Sequence, residues 1–263
     1  MRNWLNYNGV DLRDFNVYIS GGGTYNAPER DVKIISIPGR NGDLTLDNGR
    51  YKNITLKYPA FIVEHFNENI EALRDFLLSN IGYKRLEDTY HPEEYRKAKV
   101  TGTFTAKPLD ELNAANFELT FDCMPQRFLK SGDESNYFRG EVGSTTYGTI
   151  YNPTKQNALP LLHVYPNGCS KVSISIYDSS AQHVSRIQIK DIGSGVADLV
   201  VDSEMQEVYR GDTLASYNDH IVLDYGVFPY INPDSNTVQI TSEGTSIVAS
   251  DPGVDIYPRW WRL

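Results

Sequence analysis

Only one stretch of this chain carries a helical period, and that scarcity constrains the fold more than any other feature. In EHFNENIEALRDFLLSNIG, residues 64–82, Phe66, Ile70, Leu73 and Leu77 share one face of a helix of about four turns. Glu68 and Glu71 lie early in it, and Gly82 follows as a stop. With 263 residues and a single helix, the chain has to build its cores from sheets. Around the helix, DVKIISI (31–37), RYKNITLKYPAFI (50–62), YRKAKVTGTFTA (95–106) and NFELTFDCMPQRFL (116–129) read as strands. This predicts a first domain over 1–130, with antiparallel strands and one packed helix.

KSGDESNYFRGEVGSTTYGT, residues 130–149, is rich in Gly, Ser and Thr without an apolar period, so 131–150 reads as a domain junction. Beyond it the pattern is short strands. Val172, Ile174 and Ile176 alternate with polar residues, as do Ile187 with Ile189, Val238 with Ile240, and Val254 with Ile256. PNG (166–168), GSG (193–195) and NPDSN (232–236) separate them, which predicts a jelly-roll type β-sandwich over 151–263.

Charge excludes one function class. Residues 1–130 hold 17 basic and 18 acidic side chains (−1), and residues 131–263 hold 8 and 16 (−8), giving the net −9. An acidic chain without a basic stripe is poorly suited to gripping nucleic acid, where Lys and Arg on phosphates supply most affinity. The first residues lack the apolar run of a secretory signal, and no apolar stretch approaches membrane-span length. Cys123 and Cys169 allow one disulfide or two free thiols, and two free buried thiols is the expectation for a cytoplasmically made protein.

PGRNGDLTLDNGRYKN (38–53) invites three readings: phosphate cradle, calcium loop or hairpin. No G-x-x-x-x-G-K-[ST] follows Gly39, and no helix opens after the glycines. Taking Asp43 as a first calcium ligand leaves Asn48 where the turn glycine belongs and Ile54 where the glutamate belongs. Pro38-Gly39, Asn41-Gly42 and Asn48-Gly49 are turn pairs around a DLTL alternation, so the stretch reads as a long exposed β-hairpin or looped arm. Its charges, Arg40, Asp43, Asp47 and Arg50, have no evident partner within the hairpin, which marks Arg40, Asn41, Gly42, Asp43, Asp47 and Arg50 as subunit-contact candidates.

Catalytic patterns are thin. Gly193-Ser194-Gly195 is not a nucleophile elbow, His91-Pro92-Glu93-Glu94 lacks a second His at helical spacing, and His163 with Cys169 reads as a core His and a buried thiol flanking a turn. No cofactor or metal motif emerges. Tyr209, Tyr217 and Tyr225, with Phe228 and Tyr230, offer a sugar-stacking platform, although strand tyrosines more often pack across strands.

The order of features resembles the distal tail proteins (Dit) of long-tailed, non-contractile phages and derived prophages. Four stretches carry the likeness: IPGRNGDLTLDNGRYKNITLKYPAFI (37–62), similar to the family's P-G-R-x-G-x-L hairpin and following strand; YKRLEDTYHPEEYRKAKVTG (83–102); FELTFDCMPQRFLKSG (117–132); and YRGDTLASYNDHIVLDYGVFPYINPDSNTVQI (209–240) with VDIYPRWWRL (254–263). One departure is Pro233-Asp234-Ser235-Asn236 where the family pattern has Pro-Gly-x-Asn, which predicts a differently shaped turn.

The resemblance implies a mainly β fold: a tail-tube-like β-sandwich with one helix and a long hairpin, then a galectin-like sandwich. It also implies a ring, commonly hexameric, at the virion tail tip, assembled in the host cytoplasm. One face would dock the tail tube and the other the tail hub, with receptor-binding proteins held outside in some relatives, and DNA would pass through without being gripped. It implies no catalysis. Two rivals share the fold class: a carbohydrate-binding protein recognising host wall glycan through the second domain, and a glycoside hydrolase resting only on abundant carboxylates.

Overall fold

Strand alternation governs both units of the chain. The computed structural model describes residues 3–102, 105–109, 113–244 and 251–263. They divide into a first unit, Met1–Arg127 with Leu263, and a second, Phe128–Arg262.

In the first unit β1 (Leu5–Tyr7), β2 (Val10–Asp11), β3 (Val17–Ile19), β4 (Arg30–Ile35), β5 (Leu44–Tyr51) and β6 (Ile54–Ile62) precede the helix α1 (Phe66–Ser79). β7 (Lys84–Asp88), β8 (Glu94–Val100), β9 (Lys107–Leu109) and β10 (Ala114–Cys123) follow. The expected strand over 95–106 is β8, and positions 103 and 104 of it lie outside the described residues.

The main sheet runs β2-β1-β7-β8-β10-β6-β3. β6 and β10 pair from Ala115↔Ile62 to Cys123↔Ile54. That register sets Leu56, Tyr58 and Ala60 opposite Phe121, Leu119 and Phe117, so both strands turn their alternate apolar side chains to one core. Ile70, Leu73 and Leu77 of α1 fill it. Tyr58 donates to Asp88 at 2.8 Å inside this core, and Asp88 accepts the amides of Tyr90 and His91, pinning the turn after β7.

β11 (Arg127–Leu129) lies at the division. The second unit continues with β12 (Asn136–Arg139), β13 (Thr145–Asn152), β14 (Leu161–Tyr165), β15 (Lys171–Tyr177), β16 (His183–Ile189), β17 (Leu199–Asp202), β18 (Glu207–Arg210), β19 (Ile221–Leu223), β20 (Asp234–Glu243), β21 (Gly253–Tyr257) and β22 (Trp261–Arg262). Two antiparallel sheets, β12-β21-β14-β17-β18 and β13-β20-β15-β16-β19, face each other over a core that includes Leu162, Ile174, Ile187, Val201 and Ile256. Asn167 and Gly168 both take positive φ (49° and 85°), the conformation that lets β14 turn tightly towards β15. Neither Cys123 nor Cys169 forms a disulfide, both are buried, and burial pushes the Cys123 thiol up to about 12.

The structure corrects the expected junction. Residues 131–150 are not a linker, since β12 and β13 take up much of them and pair with β21 and β20. The glycines there serve close packing. A Cβ on Gly132 would lie 2.4 Å from the Trp260 backbone nitrogen, and one on Gly148 would lie 2.3 Å from the Phe138 ring. The NPDSN turn also differs from expectation. Asp234 takes φ 69°, the left-handed region glycine enters freely, so the aspartate keeps a glycine-like backbone. Asn236, fully buried, holds that turn by donating to the carbonyls of Asn232 and Asp234 and accepting the Asn232 amide.

Asp202, buried in the second unit, receives both arms of the Arg259 guanidinium at 2.8 and 3.1 Å. Burial pushes its carboxyl up, but Arg259 and the amides of Met205 and Glu204 outweigh this and hold it below the ordinary range.

Two outcomes follow. Gly132→Ala should lower stability by about 2–3 kcal/mol in a denaturant titration, whereas a true linker position would be neutral. Asp202→Asn should cost about 1–3 kcal/mol at neutral pH, because Arg259 loses a two-pronged charged partner and keeps Glu204 at 3.5 Å. The folded carboxyl lies below its unfolded value, so the wild-type advantage is full above that unfolded value and fades as pH falls through the folded one. Denaturant midpoints of both proteins at pH 7 and pH 3 measure the difference.

Candidate functional site

Among the described residues β4 and β5 lie outside the main sheet and pair only with each other, in the register Ile35↔Leu44, Ile34↔Thr45, Lys33↔Leu46, Val32↔Asp47 and Arg30↔Tyr51. The arm is therefore residues 30–51, with its tip at 36–43. It is longer than the sequence suggested, because the run 31–37 is its outgoing strand and not part of the core sheet. The expected strand over 50–62 is two elements: the end of β5 and all of β6. Asn48-Gly49, read from sequence as a turn, is instead an irregularity within β5, with Gly49 at φ 74° and its amide donating to Asp47 at 2.8 Å.

Alternation gives the ribbon one mainly apolar face and one mixed face. Ile35, Leu44 and Leu46 line the first with Lys33, and Val32 and Ile34 share the other with Thr45 and Asp47. Ile34 is 65% exposed and Leu46 54%. Two-stranded ribbons are marginal alone in water, and the exposed Ile35, Leu44 and Leu46 on one face, with Ile34 on the other, form an apolar surface of the kind that partners cover.

Arg40, Asn41, Gly42 and Asp43 sit exposed in the tip, where Gly39 and Gly42 take φ of 81° and 80°. For Asp47 and Arg50 the expectation of no partner within the hairpin is corrected. Asp47 pairs with Arg30 at 2.8 Å and Arg50 with Asp31 at 2.7 Å, both within the hairpin. Sequence missed these partners because they lie on the outgoing strand, which had been assigned to the sheet. Arg50 holds the Asp31 carboxyl below its ordinary range, and the Gly49 amide and then Arg30 do the same for Asp47. Arg30 also lies 4.8 Å over the Tyr51 ring. These contacts order the root and leave the flanks open.

The tyrosine platform is not assembled as expected. Tyr217 is 9% exposed, stacks on His220 at 4.3 Å and donates to the Asp191 carbonyl. Tyr209 lies in β18, at the edge of one sheet, and Tyr225 follows β19, at the edge of the other. Tyr225, 80% exposed, instead neighbours His183 at 6.0 Å, which in turn lies 5.2 Å from Tyr177. Tyr177 donates to Gln239 at 2.7 Å, and Gln239 donates to Tyr147 at 3.4 Å. Of this set only Gln239 is a polar position of an alternation used to find the core, at 238–240; cross-strand pairing brings in Tyr147, Tyr177 and His183.

No catalytic arrangement takes shape around the groups singled out above. His163 packs its ring on Tyr257, and burial pushes up the Cys169 thiol. Among the described residues no group of three His, Cys, Asp or Glu could hold a metal, and no helix is long and apolar enough to cross a membrane.

No protein-family model matches the chain, and no curated protein matches it by sequence. Solved structures do. SPP1 Dit (gp 19.1), a hub adsorption apparatus protein of Gram-positive infecting phages, is similar at TM-score 0.70 and 14% identity, with 100% of both chains covered. This chain shares the fold of a phage distal tail protein. The phage P2 baseplate in its activated conformation with Ca is similar at TM-score 0.52 and 12% identity over 97% of each chain. The same baseplate with Sr gives 0.51 and 11%, over 100% of this chain and 98% of the other.

The arm closes at its root, where the Lys52 amide donates to the Glu29 carbonyl at 2.9 Å. Replacing residues 31–50 by Asn-Gly should therefore leave the β circular-dichroism signal intact and move the melting temperature by no more than about 3 °C, since loop length enters closure entropy only logarithmically. Loss of the β signal would place the arm in the core.

Proposed function

We propose that this chain is a structural adaptor at the tip of a long, non-contractile phage tail, a distal-tail-type subunit that closes into a ring and joins the tail tube to the tail hub. The observation that carries the reading is the correspondence with SPP1 Dit over the whole of both chains at TM-score 0.70. The arm gives it a physical means. A ribbon with an uncovered apolar face is suited to lie across the next copy, and a head-to-tail contact of that kind repeats at every interface until the ring closes. Six copies is the number that the sequence resemblance implies. The role needs no catalysis. The acidic balance of −9 suits a passage in which DNA slides without being held.

A specific interface uses roughly 20–30 residues a side, so an arm spanning residues 30–51 is a large share of one. Losing about 3 kcal/mol per contact weakens each contact roughly a hundredfold. The test is mass by light scattering with negative-stain imaging, alone and with a tail-tube or hub partner, for the intact chain, the arm-excised chain and Ile34→Lys/Leu46→Lys. Rings from the intact chain and monomers from both variants support the proposal. Rings of unchanged mass from the excised chain would show that another surface makes the contact, and a monomer under every condition would remove the adaptor reading.

A further inference from the structure

The chain has four asparagine-glycine pairs, Asn8-Gly9, Asn41-Gly42, Asn48-Gly49 and Asn167-Gly168. In this dipeptide an asparagine side chain reacts most readily with its own backbone, because no side chain on the following residue shields the amide nitrogen. The structure restrains three of the pairs and leaves the fourth free. Asn8 donates its side-chain amide to Asn80 at 2.7 Å, and its backbone is left-handed (φ 50°) in the tight turn between β1 and β2. Asn167 takes a like conformation, φ 49°, and donates its side-chain amide to the Asp251 carbonyl at 2.7 Å. At the third pair the Asn48 side-chain amide lies beside the Asp31 carboxylate, which it helps to keep ionised, and the Gly49 amide donates to Asp47 at 2.8 Å.

Asn41-Gly42 has none of these restraints. It lies exposed at the tip of the arm, after the turn that the Arg40 amide closes onto the Ile37 carbonyl and before β5 begins at Leu44. Among the described residues neither the Asn41 side chain nor the Gly42 amide has a hydrogen-bond partner. The space beside Gly42 is open, since apart from its chain neighbours no atom lies within 4 Å of where a Cβ would stand. The attacking nitrogen and the carbon it would attack therefore sit on adjacent residues, both in water and both free to turn.

We propose that Asn41-Gly42 is a self-modification site, at which the unassembled chain deamidates. Hydroxide removes the Gly42 amide proton, and the nitrogen attacks the side-chain carbonyl carbon of Asn41. The new N–C bond closes a succinimide, while the Cγ–Nδ2 bond breaks and the nitrogen leaves as ammonia with a proton taken from water. Water then adds to either ring carbonyl. Opening on one side gives aspartate with the peptide link unchanged, and opening on the other gives isoaspartate, whose main chain runs through Cβ. The sum is one water gained and one ammonia lost, without a redox step. Either product adds a negative charge to a tip where Arg40 and Asp43 balance each other. At the other three pairs a hydrogen bond has to break before the ring can close, which slows each by about tenfold. The site does not depend on what the arm meets.

The test is incubation of the full chain at pH 8 and 37 °C, followed by tryptic mapping by mass spectrometry in heavy-oxygen water, which marks any change made during digestion. Cleavage after Arg40 and Arg50 puts Asn41 and Asn48 in one peptide, so fragmentation reads the two side by side. The expected result is conversion concentrated at Asn41, at about ten times the rate of each other pair in the folded chain, with aspartate and isoaspartate forms resolved by chromatography. In urea, where the restraints are gone, the four rates should converge. Asn41→Gln, whose longer side chain closes a ring far more slowly, should remove the acidic species from ion exchange and leave the melting curve unchanged. No conversion at Asn41 over weeks, a folded-state rate no higher than that of another pair, or the same spread of rates in urea as in the folded chain would each overturn the proposal.

Discussion

The second unit depends on a backbone contact between residues far apart in the chain, where Gly132 and Trp260 approach so closely that a side chain on Gly132 could not fit. The Leu129 amide donates to the Trp260 carbonyl, and the Arg259 amide donates to the Gly132 carbonyl. Trp260 is thereby held in the core, and Arg259 is presented to Asp202 in a left-handed conformation, φ 56°. The sandwich is closed by its own first and last segments. Contacts of such long sequence separation carry a high loop-closure entropy cost. The first unit is less constrained in this way, since α1 packs against β6, which directly precedes it in the chain.

Much of this architecture was legible because period is a physical property of the chain. One helical face and a series of two-residue alternations were enough to name a helix on a sheet and a sandwich, and Ile70, Leu73 and Leu77 are the buried face of α1. What was not legible has a common cause, since a glycine or asparagine announces an unusual backbone without saying which one. Gly132 and Gly148 looked like linker residues, yet they are places where neighbouring atoms come too near for a Cβ. Asn48-Gly49 looked like a turn and is an irregularity inside a strand. That misreading hid β5, and with it the partners of Asp47 and Arg50.

The tyrosines show a second limit. Spacing along the chain cannot say which side of a sheet a ring occupies once a bulge intervenes, nor whether a loop tyrosine turns inward. Tyr217 is buried, Tyr225 is not, and nothing in their flanking residues separates them. Pairing across strands, visible only in three dimensions, brings Tyr147, Tyr177 and His183 to one face.

The free flanks of the arm have a consequence for the solitary chain. Among the described residues β4 and β5 each pair on one side only, so each presents a row of backbone amides and carbonyls outside any ladder along its other edge, beside exposed Ile34 and Leu46. Such an edge accepts any strand of compatible length, including the arm of a second copy in the wrong orientation. The six-residue length of β4 and the Lys33 ammonium amid the apolar side chains blunt this edge without removing it. Open-ended stacking of arms therefore competes with any closed arrangement of them, and the balance shifts with protein concentration and with the order in which other surfaces are offered. The arm is thus also the feature through which protein concentration bears on the behaviour of the free chain.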